Sequence, residues 1–201
     1  MQASEFDMWR EAYGRMTAAE HAEFYKKLHA DHPDQRHFNG DDALAFFSEI
    51  PQGDLAVLEL GGYDGELADL CLGVSNVKSW DNFDLAAPEQ KCKDKRYCHH
   101  AIDIHLWNLT TPFEWDVFVA SHVIEHLSER DLTNLLDYIR PCAFVYLDSP
   151  LHETDRTDWS GSTAAHKLAL SWSEVDALMA DRKFGHWAVA KGGAHTYRIV
   201  P

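Results

Sequence analysis

Residues 55–72 read LAVLELGGYDGELADLCL, and this stretch decides the fold. Its first six residues form a short, nearly continuous apolar run, which is typical of a strand covered on both faces. The run breaks at a glycine-rich turn, residues 61–65, and residues 66–72 follow as a helix. Such a turn places bare backbone N–H groups and a helix N-terminus beside a ligand, although a tight turn without a ligand has the same pattern. No Gly-Lys-Ser/Thr follows, which excludes a P-loop.

Further short apolar runs follow this unit. They predict strands at 77–85, 97–104, 117–121 and 144–147, with a helix at 129–139. Strands that alternate with helices indicate a parallel α/β sheet. After a predicted helix at 173–181, the runs 184–190 and 194–200 are joined by Lys191-Gly192-Gly193, which predicts an antiparallel β-hairpin. A dinucleotide-binding Rossmann domain normally continues with parallel strands, so the hairpin argues against a nicotinamide-dependent reductase.

The first fifty residues have a different pattern. They predict helices at 17–30 and 41–49, the first with Thr17 and Glu20 spaced as a capping box. We therefore predict a helical preface or lid at 1–53 and one α/β structural unit at 54–201.

The composition limits the classes of partner that the protein can bind. The 201 residues carry 18 basic and 33 acidic side chains, a formal net charge of −15. Nucleic-acid binders usually carry a basic patch, and the densest basic stretch here is only residues 91–96, so a nucleic-acid partner is unlikely on charge. No apolar run is long enough to span a bilayer and the polar start lacks a signal-peptide pattern, so we expect a cytoplasmic protein without membrane attachment.

Two groups of residues in this sequence resemble metal-binding patterns, but we do not predict a metal site at either. The four cysteines contain no C-x-x-C pair; Cys71 and Cys142 fit buried thiols, and the group Cys92, Cys98, His99 and His100 matches no common zinc spacing. Residues 122–126 spell H-x-x-E-H, the motif of inverzincin peptidases. That motif requires a helix, whereas here it begins at the exit of a predicted strand.

Acidic residues fall where a nucleoside binder needs them. Asp84 lies at the end of the second predicted strand, with Asp81 as the alternative, and a carboxylate there can accept both ribose hydroxyls. Asp103 closes the third strand, where a carboxylate could accept from an adenine amino group. Acids at strand ends also cap helices or face solvent, but together with the glycine turn they favour a nucleoside site.

Several segments resemble one family. Residues 59–65 (ELGGYDG) resemble the E/D-x-G-x-G-x-G motif of class I S-adenosylmethionine (SAM)-dependent methyltransferases. Phe83-Asp84-Leu85 and Asp103-Ile104 are similar to the second- and third-strand motifs of that family. Residues 114–127 (EWDVFVASHVIEHL) are similar to the fourth-strand segment of its small-molecule, type 11 branch. Residues 165–167 before SWSE resemble a G-H-x-R-x-F-S stretch of that branch. The resemblance covers about residues 55–200.

The resemblance implies a fold, a cofactor and a site. The fold is a Rossmann-like class I methyltransferase, a seven-stranded, mostly parallel sheet with a C-terminal antiparallel hairpin and helices on both faces. The cofactor is SAM, with S-adenosylhomocysteine as the product. Asp84 would bind the ribose, Asp103 and Ile104 the adenine, and Ser121 and His122 the methionine side. The implied cofactor residues are Glu59, Gly61, Gly62, Tyr63, Gly65, Asp84, Asp103, Ile104 and Ser121. Tyr63 stands where the family has a glycine, so its side chain must point away from the cofactor or narrow the site.

The expected reaction is in-line transfer of a methyl group to a small-molecule acceptor. A general base helps when a hydroxyl or amine loses its proton, and His126, His122 and His166 are the candidates. Each of these histidines could instead cap a helix or pack against neighbouring side chains. We expect the preface and the loop 151–170 to form the acceptor side, with Tyr25, Arg36, Arg156 and Trp159 as possible contacts. The alternative is a catalytically inactive binding or regulatory module that keeps the fold, for which Tyr63 is the main support. Neither the methylated atom nor the oligomeric state follows from the sequence.

Overall fold

A single mixed sheet organises the chain. The computed structural model describes residues 15–31, 38–75, 77–86, 88–102, 112–151, 168, 170–189 and 193–200. Within these ranges the sheet has seven strands in the order β3-β2-β1-β4-β5-β7-β6. The strands are β1 (Ala56–Leu60), β2 (Ser79–Asp84), β3 (Tyr97–Ala101), β4 (Val117–Ser121), β5 (Phe144–Asp148), β6 (Phe184–Val189) and β7 (His195–Ile199).

The predicted topology is confirmed. Strands β1 to β5 pair in parallel, whereas β7 is antiparallel to both β5 and β6. The residues that join β6 to β7, 190–192, lie outside the described residues. The helices are α1 (Ala18–Asp31), α2 (Gly40–Glu49), α3 (Glu66–Leu72), α4 (Glu129–Tyr138) and α5 (Trp172–Asp181), and a short 3-10 turn spans Ile124–His126.

Helices cover both faces of the sheet, because alternate strand residues point to opposite sides. One hydrophobic cluster joins Leu58 and Phe118 of the sheet to α4 and α5. The other joins Val57 and Val119 to α2 and α3. Each of these four strand residues is fully buried, and burying such a side chain contributes about 1.5–3 kcal/mol.

Several predicted strands are longer than the observed ones, and the difference is largest at β2 and β3. Val77 is buried but precedes β2, and the Lys78 N–H donates to the Leu55 carbonyl at 2.8 Å before the regular ladder begins. An apolar residue can therefore pack in the core without belonging to a strand. Strand β3 ends at Ala101, and the predicted continuation at 103–104 lies outside the described residues.

The two N-terminal helices relate differently to the core. The capping box of α1 is confirmed, because the Thr17 N–H donates to Glu20 Oε2 at 2.7 Å and the Glu20 N–H to Thr17 Oγ1 at 3.3 Å. Helix α2 packs Phe46 and Phe47 into the cluster on its face of the sheet. It is also tied to the hairpin, since the Ala194 N–H donates to Asp42 Oδ2 at 3.3 Å. The division of the chain at residue 53 stays a prediction.

Within the described ranges, none of the helices is both long and apolar enough to cross a membrane. Cys71 and Cys142 are free thiols with no exposed surface, as predicted.

Candidate functional site

The turn after β1 has a left-handed backbone at three positions. Gly61 has φ +70°, Tyr63 +45° and Gly65 +78°. Gly65 precedes the first turn of α3 and its carbonyl accepts from the Asp69 N–H at 2.9 Å. Tyr63 thus adopts a left-handed conformation that glycine adopts at little cost and other residues rarely do.

Two side chains at the end of β2 hold this turn. Asp84 Oδ2 accepts from the Tyr63 N–H at 2.8 Å, and Asn82 Oδ1 accepts from the Gly62 N–H at 3.0 Å. Asp84 Oδ1 accepts from the Ala86 N–H at 2.7 Å. Sequence reasoning found Asp84 but missed Asn82. The signal was present, because residues two apart on a strand share a face.

Burial raises the pKa of Asp84 to about 6, although the N–H groups of Tyr63 and Ala86 favour its ionised form. A carboxylate has about four acceptor positions, and these two bonds occupy one on each oxygen. Asp84 therefore keeps acceptor capacity for further hydroxyl groups.

Glu59 lies directly beneath the turn. It is 1% exposed, and its Oε2 accepts from Trp80 Nε1–H at 2.8 Å. Desolvation by burial raises its pKa to about 8, against the effect of the Trp80 bond. A Cβ atom added to Gly62 would lie 2.3 Å from the carboxyl carbon of Glu59. A side chain at position 62 would therefore have to displace the Glu59 carboxyl group from its place beside Trp80.

The same argument links the turn to the exit of β4. A Cβ atom added to Gly61 would lie 2.2 Å from Val123 Cγ2, and one added to Gly65 would lie 2.7 Å from the ring of Tyr97. The glycine turn thus packs against the residue that follows His122. Whatever binds at the turn lies close to the groups at the end of β4.

A polar network supports the turn from β3. The Tyr97 hydroxyl accepts from Asn82 Nδ2 at 2.9 Å and donates to Gln90 Oε1. Gln90 Nε2 donates to the Tyr63 carbonyl at 3.2 Å. Neither Tyr97 nor Gln90 was predicted from the sequence, because nothing in their spacing connects them to the turn.

A non-glycine residue with a left-handed backbone, His122, directly follows β4. Ser121 is buried, and His122 has φ +52° with its N–H donating to the Asp148 carbonyl at 2.6 Å. His122 Nδ1 lies 3.6 Å from Glu125 Oε1. Glu125 is buried, and its Oε2 accepts from the Ser149 hydroxyl at 2.7 Å. The imidazole is thereby held against an acidic group while a third of its surface stays exposed.

A cleft of about 440 Å³ opens beside His122. It is lined by Phe38, Asn39, Gly40, Asp41, His122 and Asp148. Asn39 caps α2, and its own N–H donates to Asp148 Oδ2 at 2.9 Å, which joins the start of α2 to the end of β5. The volume is that of a small-molecule site.

His126 is placed differently. Its ring meets Tyr25 of α1 edge-on, with centroids 5.6 Å apart, and its Nε2 lies 3.9 Å from Glu125 Oε1. Tyr25 was a predicted acceptor contact. His126 is 16% exposed, and the cleft is lined by His122 instead.

The structure brings most of the predicted cofactor residues together at one edge of the sheet. Asp81, the alternative to Asp84, accepts from Trp115 Nε1–H at 2.9 Å and lies 2.8 Å from His100 Nε2, away from the turn. Several predicted residues lie outside the described residues. They are Asp103, Ile104, His166, Arg36, Arg156 and Trp159.

The motif H-x-x-E-H does not lie on a helix. His122 precedes the three-residue 3-10 turn, so the two histidines lack the shared helical face that the peptidase motif requires. Of the four residues weighed for zinc near β3, Cys98 and His100 approach each other together with Asp81. Cys92 is buried, and His99 Nδ1 lies 3.4 Å from Asn82 Nδ2.

Solved methyltransferases share this architecture. Human N-acetylserotonin methyltransferase, crystallised with SAM, matches 100% of this chain with 61% of its own, at TM-score 0.62 and 16% identity. Burkholderia thailandensis 1,6-didemethyltoxoflavin-N1-methyltransferase aligns with 100% of this chain over 92% of its own length, with a TM-score of 0.65 and 12% sequence identity. A Listeria monocytogenes structure described as a putative SAM-dependent methyltransferase aligns with 81% of this chain over 100% of its own length, with a TM-score of 0.61 and 9% sequence identity.

No protein-family model and no curated protein matches the chain. The structural matches show that it has the class I methyltransferase fold. The chain spans 61% of the length of the human enzyme. Assignment to the type 11 branch stays a prediction.

Proposed function

We propose that this chain binds SAM on the turn after β1 and transfers its methyl group to a small-molecule acceptor in the cleft beside His122. One observation carries the proposal. The Asp84 carboxylate accepts a hydrogen bond from the Tyr63 N–H, and the Asn82 amide oxygen accepts one from the Gly62 N–H, so both of these donors in the turn are already used.

These bonds remove the donors that a phosphate needs. The Gly61 N–H donates to the Phe83 carbonyl at 2.9 Å, and the Gly65 N–H to the Gly62 carbonyl at 2.8 Å. Helix N-termini bind phosphate through free N–H groups, and most of those in this turn are already used. This arrangement disfavours a dinucleotide, whose pyrophosphate binds at such a turn.

The charges around the turn favour a cation. Asp84 and Asp64 flank it. The buried Glu59 beneath it adds no charge at pH 7, because its pKa is raised to about 8. SAM has no phosphate, and it carries a positively charged sulfonium that makes its methyl group electrophilic. The residues present therefore fit this cofactor, with Asp84 accepting from the ribose hydroxyls.

On the acceptor side, His122 is the candidate for proton removal. It lines the cleft, and Glu125 Oε1 at 3.6 Å from Nδ1 would stabilise the imidazolium. Histidine titrates near neutral pH, which suits that role. The second candidate for the general base, His126, packs against Tyr25. The role of the third candidate, His166, stays a prediction.

Calorimetric titration with SAM and S-adenosylhomocysteine tests the cofactor site. We expect saturable binding by the wild type and a 10- to 100-fold weaker affinity for Asp84→Asn, about 1.5–3 kcal/mol for a hydrogen bond to a charged group. Asp81→Asn is the matched control, because Asp81 lies on the same strand and contacts Trp115 instead of the turn. Absence of binding by folded wild-type protein, or equal losses in both variants, would overturn the assignment.

Turnover separates an enzyme from an inactive module, the alternative that Tyr63 raises. Methyl-labelled SAM would be incubated with a panel of small hydroxyl and amine compounds, and transfer of label to a panel compound measured. We expect the transfer rate of His122→Ala, measured at saturating SAM, to fall about 10²- to 10⁴-fold. SAM binding without transfer to any acceptor would favour the inactive module.

A further inference from the structure

A second cluster of chemically active side chains lies at the far side of the sheet, away from the turn. His186 Nε2 is 3.1 Å from Asp176 Oδ2, and His195 Nδ1 is 3.0 Å from Asp176 Oδ1. The three ligand-capable atoms all lie within 4.8 Å of one another. These residues come from three different elements, α5, β6 and β7.

The hairpin register explains the convergence. His186 pairs with Tyr197, and His195 lies two residues from Tyr197, so all three side chains point to one face of the hairpin. The pairing is irregular between His186 and Val189, where β6 has one residue more than β7. Such bulges re-aim side chains. Helix α5 covers this face and supplies Asp176.

Neighbouring aromatic rings hold the cluster. Trp172 stacks on His195 with ring centroids 3.8 Å apart and planes at 6°. His186 stacks on Tyr197 at 5.0 Å, and the Tyr197 hydroxyl donates to Asp176 Oδ1 at 2.6 Å. Each of the three potential ligands therefore has a neighbouring contact that restricts its orientation, and for Asp176 this contact is a hydrogen bond of the kind common around metal ligands.

We propose that Asp176, His186 and His195 form a binding site for a divalent transition-metal ion, with zinc as the best fit. Two imidazoles and one carboxylate are a common zinc ligand set with a fourth position open to water. Bond lengths of about 2.0–2.1 Å place tetrahedral ligand atoms about 3.3 Å apart. The 3.0 and 3.1 Å contacts run to different oxygens of Asp176, and the three candidate ligand atoms lie within 4.8 Å of one another, so binding of one ion requires side-chain rotations that draw them together.

Solvent exposure also suits an ion with an open position. The side chain of His186 is 46% exposed, whereas Asp176 and His195 are 27% and 24% exposed. An ion can therefore enter from the His186 side and remain in contact with water. Once bound, it would join α5 to both strands of the hairpin and so stabilise this end of the sheet.

A competing group of the same size exists on β2 and β3. Asp81, Cys98 and His100 also lie within 4.8 Å of one another. Cys98 is exposed. The hairpin cluster is favoured because two imidazoles and one carboxylate match a common zinc ligand set, which a carboxylate, a thiol and an imidazole do not.

Zinc titration of the full-length, tag-free chain after removal of metal tests the site. We expect one saturable event by calorimetry and a rise in Tm that grows with zinc concentration. His186→Asn and His195→Asn should each weaken binding at least about 100-fold, and Tyr197→Phe about 10- to 100-fold as an outer contact. His100→Asn is the matched control, since it removes a histidine that bonds a carboxylate elsewhere, and it should leave the event unchanged.

Cobalt substitution distinguishes the two clusters. Cobalt bound by nitrogen and oxygen shows visible d–d absorption without the thiolate charge-transfer band that Cys98 would add. That spectrum, lost in His195→Asn, would support the proposal. A thiolate band, binding that survives both hairpin variants, or no saturable zinc binding by folded protein would overturn it and leave these contacts as hydrogen bonds only.

Discussion

At the residue scale, the unusual backbone positions coincide with the candidate site. Three non-glycine residues of the described chain have positive φ, and two of them, Tyr63 and His122, flank the edge where the turn meets β4. A left-handed residue costs about 1–2 kcal/mol unless its surroundings hold it. Here the Asp84 bond to the Tyr63 N–H and the Asp148 bond to the His122 N–H provide that support. Strain of this kind gathers at functional sites.

The buried acid Glu59 predicts a pH dependence of stability. Its pKa is raised to about 8 in the folded chain from 4.5, so its contribution is complete below pH 4.5 and is lost as the pH rises through about 8. Within this window the free energy of unfolding should fall by up to about 1.4 kcal/mol per pH unit. Glu59→Gln keeps an acceptor for Trp80 and should flatten the curve.

Urea unfolding across this window measures the effect. Glu49→Gln, which changes an exposed glutamate, is the control and should follow the wild-type curve. Parallel curves for wild type and Glu59→Gln would show that Glu59 does not remain protonated in the folded chain at neutral pH.

At the element scale, strand ends and helix starts carry the site. The alternation of β2 places Asn82 and Asp84 on one side, where both reach the turn, while Asp81 faces Trp115. The sequence predicted that an acid at this strand end would serve the turn but left Asp81 and Asp84 open. The end of β2 decides between them, and strand ends are the least certain part of any sequence-based assignment.

Helix α5 offers a test of local sequence signals. Ser171 Oγ accepts from the Glu174 N–H at 3.2 Å, and Glu174 Oε2 accepts from the Ser171 N–H at 2.7 Å, a reciprocal capping box. Ser171→Ala should lower the free energy of unfolding by about 1 kcal/mol. Ser48→Ala, within exposed α2 surface, should change it by less than about 0.5 kcal/mol. Equal effects in chemical denaturation would show that the cap is not formed.

The hairpin cluster shows where sequence reasoning ends. Histidines 186 and 195 and Asp176 are separated by nine or more residues and follow no metal spacing. Their meeting depends on the register of β6 against β7 and on the packing of α5, and neither leaves a pattern in the composition. For the cleft, the sequence predicted only that the preface and the loop 151–170 form the acceptor side. It did not single out Asp148 and Asn39, because these two residues meet only across the folded chain.

At the scale of the whole molecule, apolar runs were enough to predict the sheet. Five strands and the hairpin follow from runs bounded by turn residues, because a parallel sheet buried on both faces needs them. The antiparallel pairing of β6 with β7 also follows, since the predicted Gly-Gly turn reverses the chain. The resemblance implied seven strands with helices on both faces, but the strand order, with β7 between β5 and β6, was not predicted because it depends on tertiary packing.

Hydrogen exchange tests how the N-terminal helices belong to this whole. Helix α2 contributes Ala43, Phe46 and Phe47 to a core cluster, whereas most described side chains of α1 are exposed or half-buried. We expect the amides of α1 to exchange at least about ten-fold faster than those of α2, which should exchange with the sheet. Joint exchange of both helices, faster than β1, would instead support a separate unit ending near residue 53.

The reversed strand β7 has a consequence for how the chain is made on the ribosome. Strands β1 to β5 can assemble in the order of synthesis, but β6 has no neighbour in the sheet until β7 has been translated and placed beside β5. The two hairpin strands must therefore dock late and together. Until then the edge of β5 is open, and it is the place where a nascent chain would recruit a chaperone or pair wrongly with another copy.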